Sequence, residues 1–523
     1  MLLLAGIVLL LVFARAKHAP VLSDDSYQYI GAANSLVSGE CLCTHLAHFY
    51  EQLAWGRMPV PLTHFPPGYS LLLAATSYTG LSMPNAGLLL SVIGFLLTLC
   101  FIWDIAFGLR AKPWAVVALS ALWLTSSLAL GDALRVGTEA LFTAAVAGLA
   151  AMIVRDIKRH GERPRLLLFI GLTAGAAYDL RYAGIFLLPV IALYLFWRWR
   201  RTPGALPWAL SGIAAMAVMA GSVMLRNIHY TGSWRGGFDS GALGSVRELL
   251  IGTFKAYYHL VFGEAAKTRP DAWWVVFVIA AAAVVVLVYL AWRHGVFRQL
   301  SVPERHCYVW LPAMIVVYSG GIMLTALLTI AGNMAIAANM TRYERPVYPV
   351  VLALAAPLLS LALRQRLILV GIAAIAATIG IHSRSLAAPQ RIPADIVAGE
   401  LLNGDVQPGV TAETWLLQHV SPRDILLAPN AQAVSYILNR DVISANPASG
   451  SHPSDEAAYH ALMLKDHIRY LLLIPGIQES DTDGEYGAPF LRDLAISHSP
   501  VSWLHQAARN TGLTVYECET CAN

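Results

Sequence analysis

The chain has 523 residues, of which 57% are hydrophobic and 13% are charged, and its mean hydropathy is +0.57. Soluble domains have about 45–50% apolar and about 25% charged residues, so this composition excludes a soluble globular protein and a disordered one and indicates many membrane spans. The net charge of +4 is too small for a nucleic-acid partner, and it is divided unevenly: residues 1–382 carry +12 and residues 383–523 carry −8.

Apolar runs divide the first part of the chain. They begin near residues 1, 84, 113, 138, 166, 182, 205, 272, 308, 346 and 367. At about 20 residues per crossing they predict about eleven transmembrane helices in a membrane domain of residues 1–382. The first run, Met1–Ala14, predicts a short helix, because no basic segment precedes it and no small-residue cleavage site follows it. The apolar stretch Pro67–Ser82 is interpreted as an interfacial or re-entrant helix.

The charges of the loops indicate the orientation. With Pro67–Ser82 left out of the count, every second loop is short and rich in Lys and Arg, and the positive-inside rule places these loops in the cytoplasm. The N-terminus is then cytoplasmic, and loops 15–83, 226–271 and 331–345 face outward, as does the tail. We therefore expect a multi-pass protein of the bacterial inner (plasma) membrane with a periplasmic or other extracytoplasmic tail. Arg15 and Lys17 are the one discordant pair.

Two adjacent carboxylates open the first outward loop. Residues 23–29 read Ser-Asp-Asp-Ser-Tyr-Gln-Tyr. One interpretation makes Ser23 a helix N-cap with Asp24 and Asp25 in the first turn, where the helix dipole favours negative charge. The other makes one of them a general base at the membrane surface, and the two interpretations are compatible. Two adjacent carboxylates are a thin ligand set for a divalent cation such as Mg²⁺ or Mn²⁺, so metal dependence stays open.

Further polar side chains lie at the outward ends of apolar runs. His64 and Tyr69 flank a Pro-Pro-Gly segment that suits a helix start, and they are interpreted as lying at headgroup depth. Arg181 separates the runs that begin at 166 and 182 and is either part of an interfacial turn or a phosphate ligand. Arg226 begins the second long loop, and Thr341–Pro346 precedes the tenth run. The charges before the tenth run are interpreted either as snorkelling side chains or as an anion site at a helix N-terminus.

Residues 383–523 have a different pattern. Short apolar strands are predicted at Asp424–Ala428, Asp441–Ser444 and Arg469–Ile474, with helices at Thr411–Val420, Asn430–Asn439 and Ser454–His467. Strands that alternate with helices predict a small α/β domain with a largely parallel sheet. No glycine-rich nucleotide-binding motif occurs in this sequence.

The six cysteines form three groups. Cys100 and Cys307 lie in apolar runs and are interpreted as packing residues. Cys41 and Cys43 form a CxC in the first loop, while a CxxC ends the tail at residues 518–521. An outward location favours a disulfide over a metal knuckle for the CxxC. A bridge between the two motifs is a further alternative, and the spacing does not assign the partners.

Taken in chain order, these residues resemble the polyprenyl-phosphate-sugar-dependent glycosyltransferases with the GT-C membrane fold. This superfamily includes the protein O-mannosyltransferases and the lipid A aminoarabinose transferase. The resemblance spans about residues 1–365. It rests on an ordered set of residues: Asp24, Asp25, Pro66, Pro67, Gly68, Tyr69, Glu139, Arg181, Arg226, Asn227, Arg342, Tyr343 and Pro346. The family usually has Asp-Glu where this chain has two aspartates, which leaves open which of them is the base.

The resemblance implies a GT-C fold and a transfer reaction on the outer face of the membrane. A sugar on polyprenyl phosphate is the donor, and a hydroxyl of a lipid, protein or glycan is the acceptor. Asp24 or Asp25 is the general base, and the anomeric carbon is inverted. The phosphate ligands implied are Arg181, Arg342, Arg226 and Arg345. The substrate-binding residues implied are Tyr27, His64, Tyr69, Glu139 and Tyr343.

Two other classes fit parts of the pattern. A lipid or glycan transporter would also have about eleven helices, but transporters place charges and broken helices near the midplane, whereas only Asp104 lies clearly inside an apolar run. A non-catalytic scaffold for envelope assembly would use the tail to bind a partner. Neutralising Asp24 and Asp25 separates these classes, because it should abolish only a transferase.

Overall fold

The computed structural model describes most of the membrane part and most of the tail. The described residues are 2–16, 19–47, 58–159, 162–202, 204–234, 300–328, 337–362, 393–428, 431–445, 455–474, 489–497, 501–510 and 512–522, with positions 236, 251, 253 and 255. The apolar runs predicted near residues 272 and 367, and most of loop 226–271, lie outside them.

The chain divides into two compact units. The first consists of Met1–Val21, Phe65–Tyr69 and Pro84–Pro389. The second consists of Leu22–His64, Ser70–Met83 and Gln390–Asn523. The second unit thus takes in most of the loop 15–83 as well as the tail, whereas the sequence analysis assigned that loop to the membrane domain.

The helices account for most of the described chain. In chain order they are α1 Leu2–Ala16, α2 Asp24–Val37, α3 Gly68–Ser77, α4 Met83–Gly108, α5 Pro113–Thr125, α6 Ser127–Leu134, α7 Glu139–Lys158, α8 Leu166–Leu180, α9 Leu188–Arg201, α10 Leu206–Thr231, α11 Val302–Leu328, α12 Ala337–Glu344, α13 Tyr348–Ala362, α14 Pro393–Asn403, α15 Ala412–His419, α16 Ala431–Leu438, α17 Glu456–Lys465 and α18 Pro489–Ser497. Short 3₁₀ turns precede α9 and α13, at Tyr182–Leu187 and Arg345–Val347.

The protein is a polytopic α-helical membrane protein. Within the described residues, five helices are long and apolar enough to cross a membrane, and α5 with α6 makes a sixth if the pair, bent by 59° at Ser126, is one span. The predicted count of about eleven is not confirmed. The span in α7 is 78% buried, against 28% for those in α10 and α11, so α7 lies at the centre of the first unit and the other two present apolar side chains outward.

Small residues set the packing of α8 against α10. Gly171 and Gly175 are four residues apart on α8, the spacing that lets two membrane helices approach closely. A Cβ atom on Gly171 would overlap the backbone of Gly212 on α10, and one on Gly212 would overlap the backbone of Leu167. These two helices therefore touch through their backbones.

The second unit contains a six-stranded sheet. Its strands are β2 Leu46–Ala47, β6 Leu426–Ala428, β7 Val442–Ser444, β8 Tyr470–Leu473, β9 His505–Arg509 and β10 Thr514–Glu517. The strand order is β2-β7-β6-β8-β10-β9; the first four are parallel, and β10 and β9 are antiparallel to their neighbours. The predicted α/β tail is confirmed, and its edge strand β2 comes from the first loop. The remaining strands are the short pairs β1 Cys43–Thr44 with β3 Val60–Pro61, and β4 Asp405–Gln407 with β5 Val410–Thr411.

Alternate residues of the central strands enter two cores. Leu426 and Ala428 pack on one side with Trp415, while Leu427 packs on the other with Met463. Side chains of a strand alternate between faces, and helices cover both faces of a parallel sheet, so the strands read as continuous apolar runs.

Two disulfides close within their own motifs. Cys41 bonds to Cys43, and Cys518 bonds to Cys521. The alternative bridge between the two motifs is therefore not formed. The expected disulfide of the CxxC is present. Cys100 and Cys307 are free, as expected for packing residues.

Candidate functional site

A buried carboxylate in the first unit holds two arginines. Glu139 begins α7 and is 5% exposed. Arg181 Nη1 donates to Glu139 Oε1 at 2.8 Å and to the Thr138 hydroxyl at 3.0 Å. Arg342, on α12, donates from Nε to the same Glu139 oxygen. The sequence predicted these three residues as ligands, and the structure brings them together from three separate helices or helix ends.

Local backbone geometry places Arg181 at this point. The chain leaves α8 with Arg181 extended, at φ −149° and ψ 134°, before it enters the 3₁₀ turn of Tyr182–Leu187. Burial of the apolar faces of α8 and of the following span forces the connection to be short, so the polar residue between the two apolar runs lies at the helix ends. The interpretation of residue 181 as the break between two short helices is confirmed.

A third arginine belongs to the same group, and the sequence analysis missed it. Arg135 follows α6 and interacts electrostatically with Glu139. Its Nε atom is buried, and the described residues provide no hydrogen-bond partner for that atom. We call Arg135, Arg181, Arg342 and Glu139 the Glu139 cluster. The sequence signal for Arg135 is its position four residues before Glu139, between two apolar runs.

The Glu139 cluster carries more positive than negative charge. Three guanidiniums face one carboxylate, which leaves a formal charge of +2 at a partly buried position. Guanidiniums held away from water are stabilised by anionic partners, and an anion that enters the cluster adds one. Arginine also binds phosphate oxygens with two parallel hydrogen bonds. The arrangement is therefore suited to a phosphate group.

Two of the predicted substrate-binding tyrosines flank the Glu139 cluster. The ring of Tyr343 lies 5.8 Å from Cζ of Arg181. Tyr69 is fully buried, with its hydroxyl near the Ser91 side chain and the Gly137 backbone. A glycine is required just before it, because a Cβ atom on Gly68 would lie 2.6 Å from the Asp179 carbonyl oxygen.

The other two predicted phosphate ligands have different surroundings. Arg345 is buried and forms an ion pair with Asp132 of α6, so its charge is already balanced. Arg226 stacks on Tyr230, with Cζ 5.4 Å from the ring centre, and interacts electrostatically with Asp179. Neither is part of the Glu139 cluster.

The acidic pair lies in the second unit. Ser23 caps α2, with its backbone N–H donating to the Ser26 hydroxyl at 2.8 Å, and Asp24 and Asp25 occupy the first turn, so the capping interpretation is confirmed. Burial, and then the charge of Asp25, raise the pKa of Asp24 to about 6. Asp24 Oδ1 is buried, and no hydrogen-bond partner for it occurs in the described part of the chain.

Tyr27 and His64 are the other predicted site residues of the second unit. Tyr27 is buried in the core around β6 and packs on Tyr436, with ring centres 4.9 Å apart. Burial lowers the pKa of His64 to about 4, so this imidazole is neutral at pH 7.

Asp24 and Asp25 would supply two carboxylates to a divalent cation. Mg²⁺ takes six oxygen ligands, and in proteins one or two carboxylates are commonly completed by substrate phosphate and water. Among the described residues, no group of three carboxylate, imidazole or thiol ligands includes Asp24 or Asp25. The group that does form joins His460 to Cys518 and Cys521, whose sulfurs are bonded to each other and so are not thiolate ligands.

Comparisons with known structures identify the fold. No family model and no curated protein matches the sequence. The oligosaccharyltransferase of Archaeoglobus fulgidus is similar in structure, with a TM-score of 0.51 and 11% identity over 99% of this chain and 74% of that chain. The arabinofuranosyltransferase AftD from Mycobacteria has a TM-score of 0.51 and 12% identity over 99% of this chain and 40% of that one. ArnT from Cupriavidus metallidurans aligns over 100% of this chain and 98% of its own, with a TM-score of 0.44 and 14% identity. The chain has the fold of the GT-C membrane glycosyltransferases.

Proposed function

We propose that the protein is an integral membrane glycosyltransferase that moves a sugar from a polyprenyl-phosphate donor to an acceptor hydroxyl on the outer face of a bacterial inner membrane. The observation that carries the proposal is the convergence of Arg135, Arg181 and Arg342 on the buried Glu139 carboxylate. A lipid phosphate has its anionic group at the membrane surface, where arginines between transmembrane helices can bind it. An oligosaccharyltransferase with this fold is known in complex with dolichol phosphate, which supports a lipid-phosphate ligand.

The proposed step is a single displacement. The acceptor oxygen attacks the anomeric carbon, and the bond from that carbon to the phosphate oxygen breaks. The acceptor proton passes to a carboxylate, and polyprenyl phosphate leaves with the electron pair of the broken bond. Attack opposite the leaving group inverts the anomeric carbon. Arg181 and Arg342 stabilise the charge that develops on the leaving phosphate, and the unpartnered Nε of Arg135 offers a further donor.

Asp24 is the proposed base, with Asp25 as the alternative. A general base works best when its pKa is near the working pH, and the pKa of Asp24 is about 6. Asp24 is therefore ionised at pH 7 and still basic enough to accept a proton. Tyr69 and Tyr343 are proposed to contact the donor beside the Glu139 cluster, while Tyr27 and His64 are proposed substrate contacts of the second unit.

Replacing one arginine of the Glu139 cluster tests the proposal. Glu139 keeps a partner in Arg181→Gln, because Arg342 still binds it, and the converse holds for Arg342→Gln. We therefore expect both variants to fold and to lower kcat by about 10²–10³-fold, the effect of removing one group that stabilises transition-state charge. The assay follows label from a panel of radiolabelled polyprenyl-phosphate sugars into envelope extract.

Arg163→Gln is the matched control, because Arg163 is an exposed arginine outside the cluster; it should transfer at the wild-type rate. Transfer at the wild-type rate by both Arg181→Gln and Arg342→Gln would contradict the phosphate-binding role proposed for the Glu139 cluster. If the wild-type protein moves label from no donor in the panel, a transporter or a scaffold becomes the better account.

A further inference from the structure

A polar cleft lies within the second unit, and its lining includes Tyr27, one of the proposed substrate contacts. It has a volume of about 610 Å³, within the range of about 300–1,000 Å³ that is usual for small-molecule sites. One wall is formed by α2 from Tyr27 to Ser35 with Ser38 just after the helix, and another by α16. Gln28 is only 3% exposed although it lines the cleft, so its amide is part of a built wall and not of an open surface.

The lining has the chemistry of a carbohydrate site. Four residues with side-chain amides line the cleft, Gln28, Asn34, Gln432 and Asn439, and an amide both donates and accepts hydrogen bonds. The adjacent rings of Tyr27 and Tyr436 also line it. A sugar ring has hydroxyls around its edge and C–H groups on its faces, so amides satisfy the edge while a tyrosine ring covers a face.

The charges of the cleft restrict the kind of sugar. Glu40 and Glu413 both line it. His45 lines it too, but its Nδ1 is 2.7 Å from Asp441 Oδ1, so a positive charge on His45 is balanced by that carboxylate. Glu40 also interacts electrostatically with His45, so the four groups together are negatively charged and repel uronates and phosphorylated sugars. Sugars with only hydroxyl, acetamido or amino groups meet no such repulsion.

The cleft and the proposed base share one helix. Asp24, Gln28, Gly31 and Ser35 are spaced i, i+4, i+7 and i+11 on α2, which places them along one helical face. Asp24 is one turn, about 5.4 Å, from Gln28. Asp24 does not itself line the cleft, but a ligand that lies along this face of α2 has one end directed toward the helix turn that carries Asp24.

We infer that this cleft binds the acceptor of the transfer reaction, and that the acceptor is a saccharide without acid groups, held along α2 with a hydroxyl toward Asp24. The inference rests on the proposed function for the word acceptor, but binding in the cleft is measurable without any donor. It narrows the acceptor from lipid, protein or glycan to a glycan portion.

Direct binding to the full-length protein in nanodiscs tests the inference. The probes are fluorescent trisaccharides of N-acetylglucosamine, glucosamine and galacturonate, together with an unglycosylated peptide. We expect the first two to bind and the galacturonate probe to bind at least tenfold more weakly. In the double variant Glu40→Gln with Glu413→Gln, the difference in affinity between the galacturonate probe and the other two trisaccharides should become smaller.

Two variants address the cleft in opposite ways. Gln432→Ala removes an amide, and Gly31→Leu fills the space: a Cβ atom there would have its nearest neighbour, Thr44 Oγ1, at 3.9 Å, so the helix accepts the side chain. Both should weaken trisaccharide binding at least tenfold. Gln418→Ala is the matched control, since Gln418 is an exposed glutamine on α15 outside the cleft.

The outcomes separate the two proposals. Wild-type affinity in Gly31→Leu and Gln432→Ala would overturn the cleft assignment, as would binding of the peptide in place of every sugar. Loss of binding in these variants together with normal binding in Gln418→Ala supports it. Because this assay contains no polyprenyl phosphate, trisaccharide binding by a wild-type protein that moves label from no donor in the panel would contradict the transferase and keep the saccharide site.

Discussion

Asp24 occupies a position where two local effects oppose each other. The first turn of α2 favours a carboxylate through the helix dipole, yet burial and the charge of Asp25 raise the pKa of Asp24 to about 6. The sequence indicated the acidic pair and its capping role, because both follow from residue types at neighbouring positions. It could not predict the raised pKa, because burial depends on chain segments far away in sequence.

The first consequence for Asp24 concerns the pH dependence of transfer. A base must be deprotonated, so the transfer rate should be constant above pH 7 and should fall about tenfold per pH unit below about 6. Asp24→Asn should remove most of the activity at every pH. Asp25→Asn should stay active, with its inflection moved to lower pH, because the charge of Asp25 contributes to the raised pKa. A profile of kcat/KM against pH checks this; an unchanged inflection in Asp24→Asn would exclude Asp24 as the base.

The second consequence for Asp24 concerns stability. A folded-state pKa of about 6 against an ordinary 3.8 means that the folded protein binds the proton more tightly than the unfolded one. Stability therefore falls as pH rises from about 4 through about 6, and above that range the full cost is present. With solvent screening taken into account, Asp24→Asn should stabilise the protein at pH 7.5 by about 1–2 kcal/mol and have little effect at pH 4. Thermal melting in detergent at both pH values measures it; equal destabilisation at both would show that the carboxylate is needed for packing.

At the scale of helices and strands, apolar patterns predicted what is local. The helices α15, α16 and α17 and the strands β6, β7 and β8 all lie within the segments that the sequence indicated, because each strand is a continuous apolar run between turn signals. The break at Ser126 was not predicted, since the two apolar stretches on either side of Thr125, Ser126 and Ser127 are together apolar enough for one span. Strand β2 was also missed, because two residues in a loop give no periodic signal and their partner Val442–Ser444 is remote in the chain.

The close approach of α8 and α10 gives a prediction at this scale. Gly212→Ala should lower the melting temperature by several degrees, because the new methyl group would overlap the backbone of Leu167. Gly221→Ala is the matched control on the same helix: no atom lies within 4 Å of a Cβ atom there among the described residues, and alanine is the better helix former by about 1 kcal/mol. The melting temperature of Gly221→Ala should therefore equal or exceed that of the wild-type protein. Equal melting temperatures of both variants would mean that the two helices can separate at no cost.

For the molecule as a whole, charge asymmetry is the main guide to orientation. The positively charged short loops predict a cytoplasmic N-terminus and an outward tail, and the disulfide Cys518–Cys521 is consistent with an oxidising compartment for the tail. Orientation cannot be read from helix packing alone, because a bundle packs equally well with either end outward.

Reporter fusions at two positions test this orientation. Alkaline phosphatase fused after residue 523 should be active and green fluorescent protein at that position dark, because only the phosphatase folds outside the cytoplasm. Fusions after residue 160, in a short basic loop, should give the reverse. A fluorescent C-terminal fusion would invert the topology and would remove Asp24 from the outer face.

The pairing of Leu46–Ala47 with Val442–Ser444 has a consequence for biosynthesis. His45 and Asp441, which meet beside this pairing, are 396 positions apart. At a translation rate of roughly 5–20 residues per second, the first loop waits about 20–80 s for its partner strand to emerge. During that interval strand β2 has no partner strand. The incomplete second unit, with α2 and Asp24, is then exposed to proteases and chaperones. We expect that a ribosome stalled before codon 440 leaves a membrane-inserted product without the complete sheet, and that the proposed transfer activity requires the finished chain.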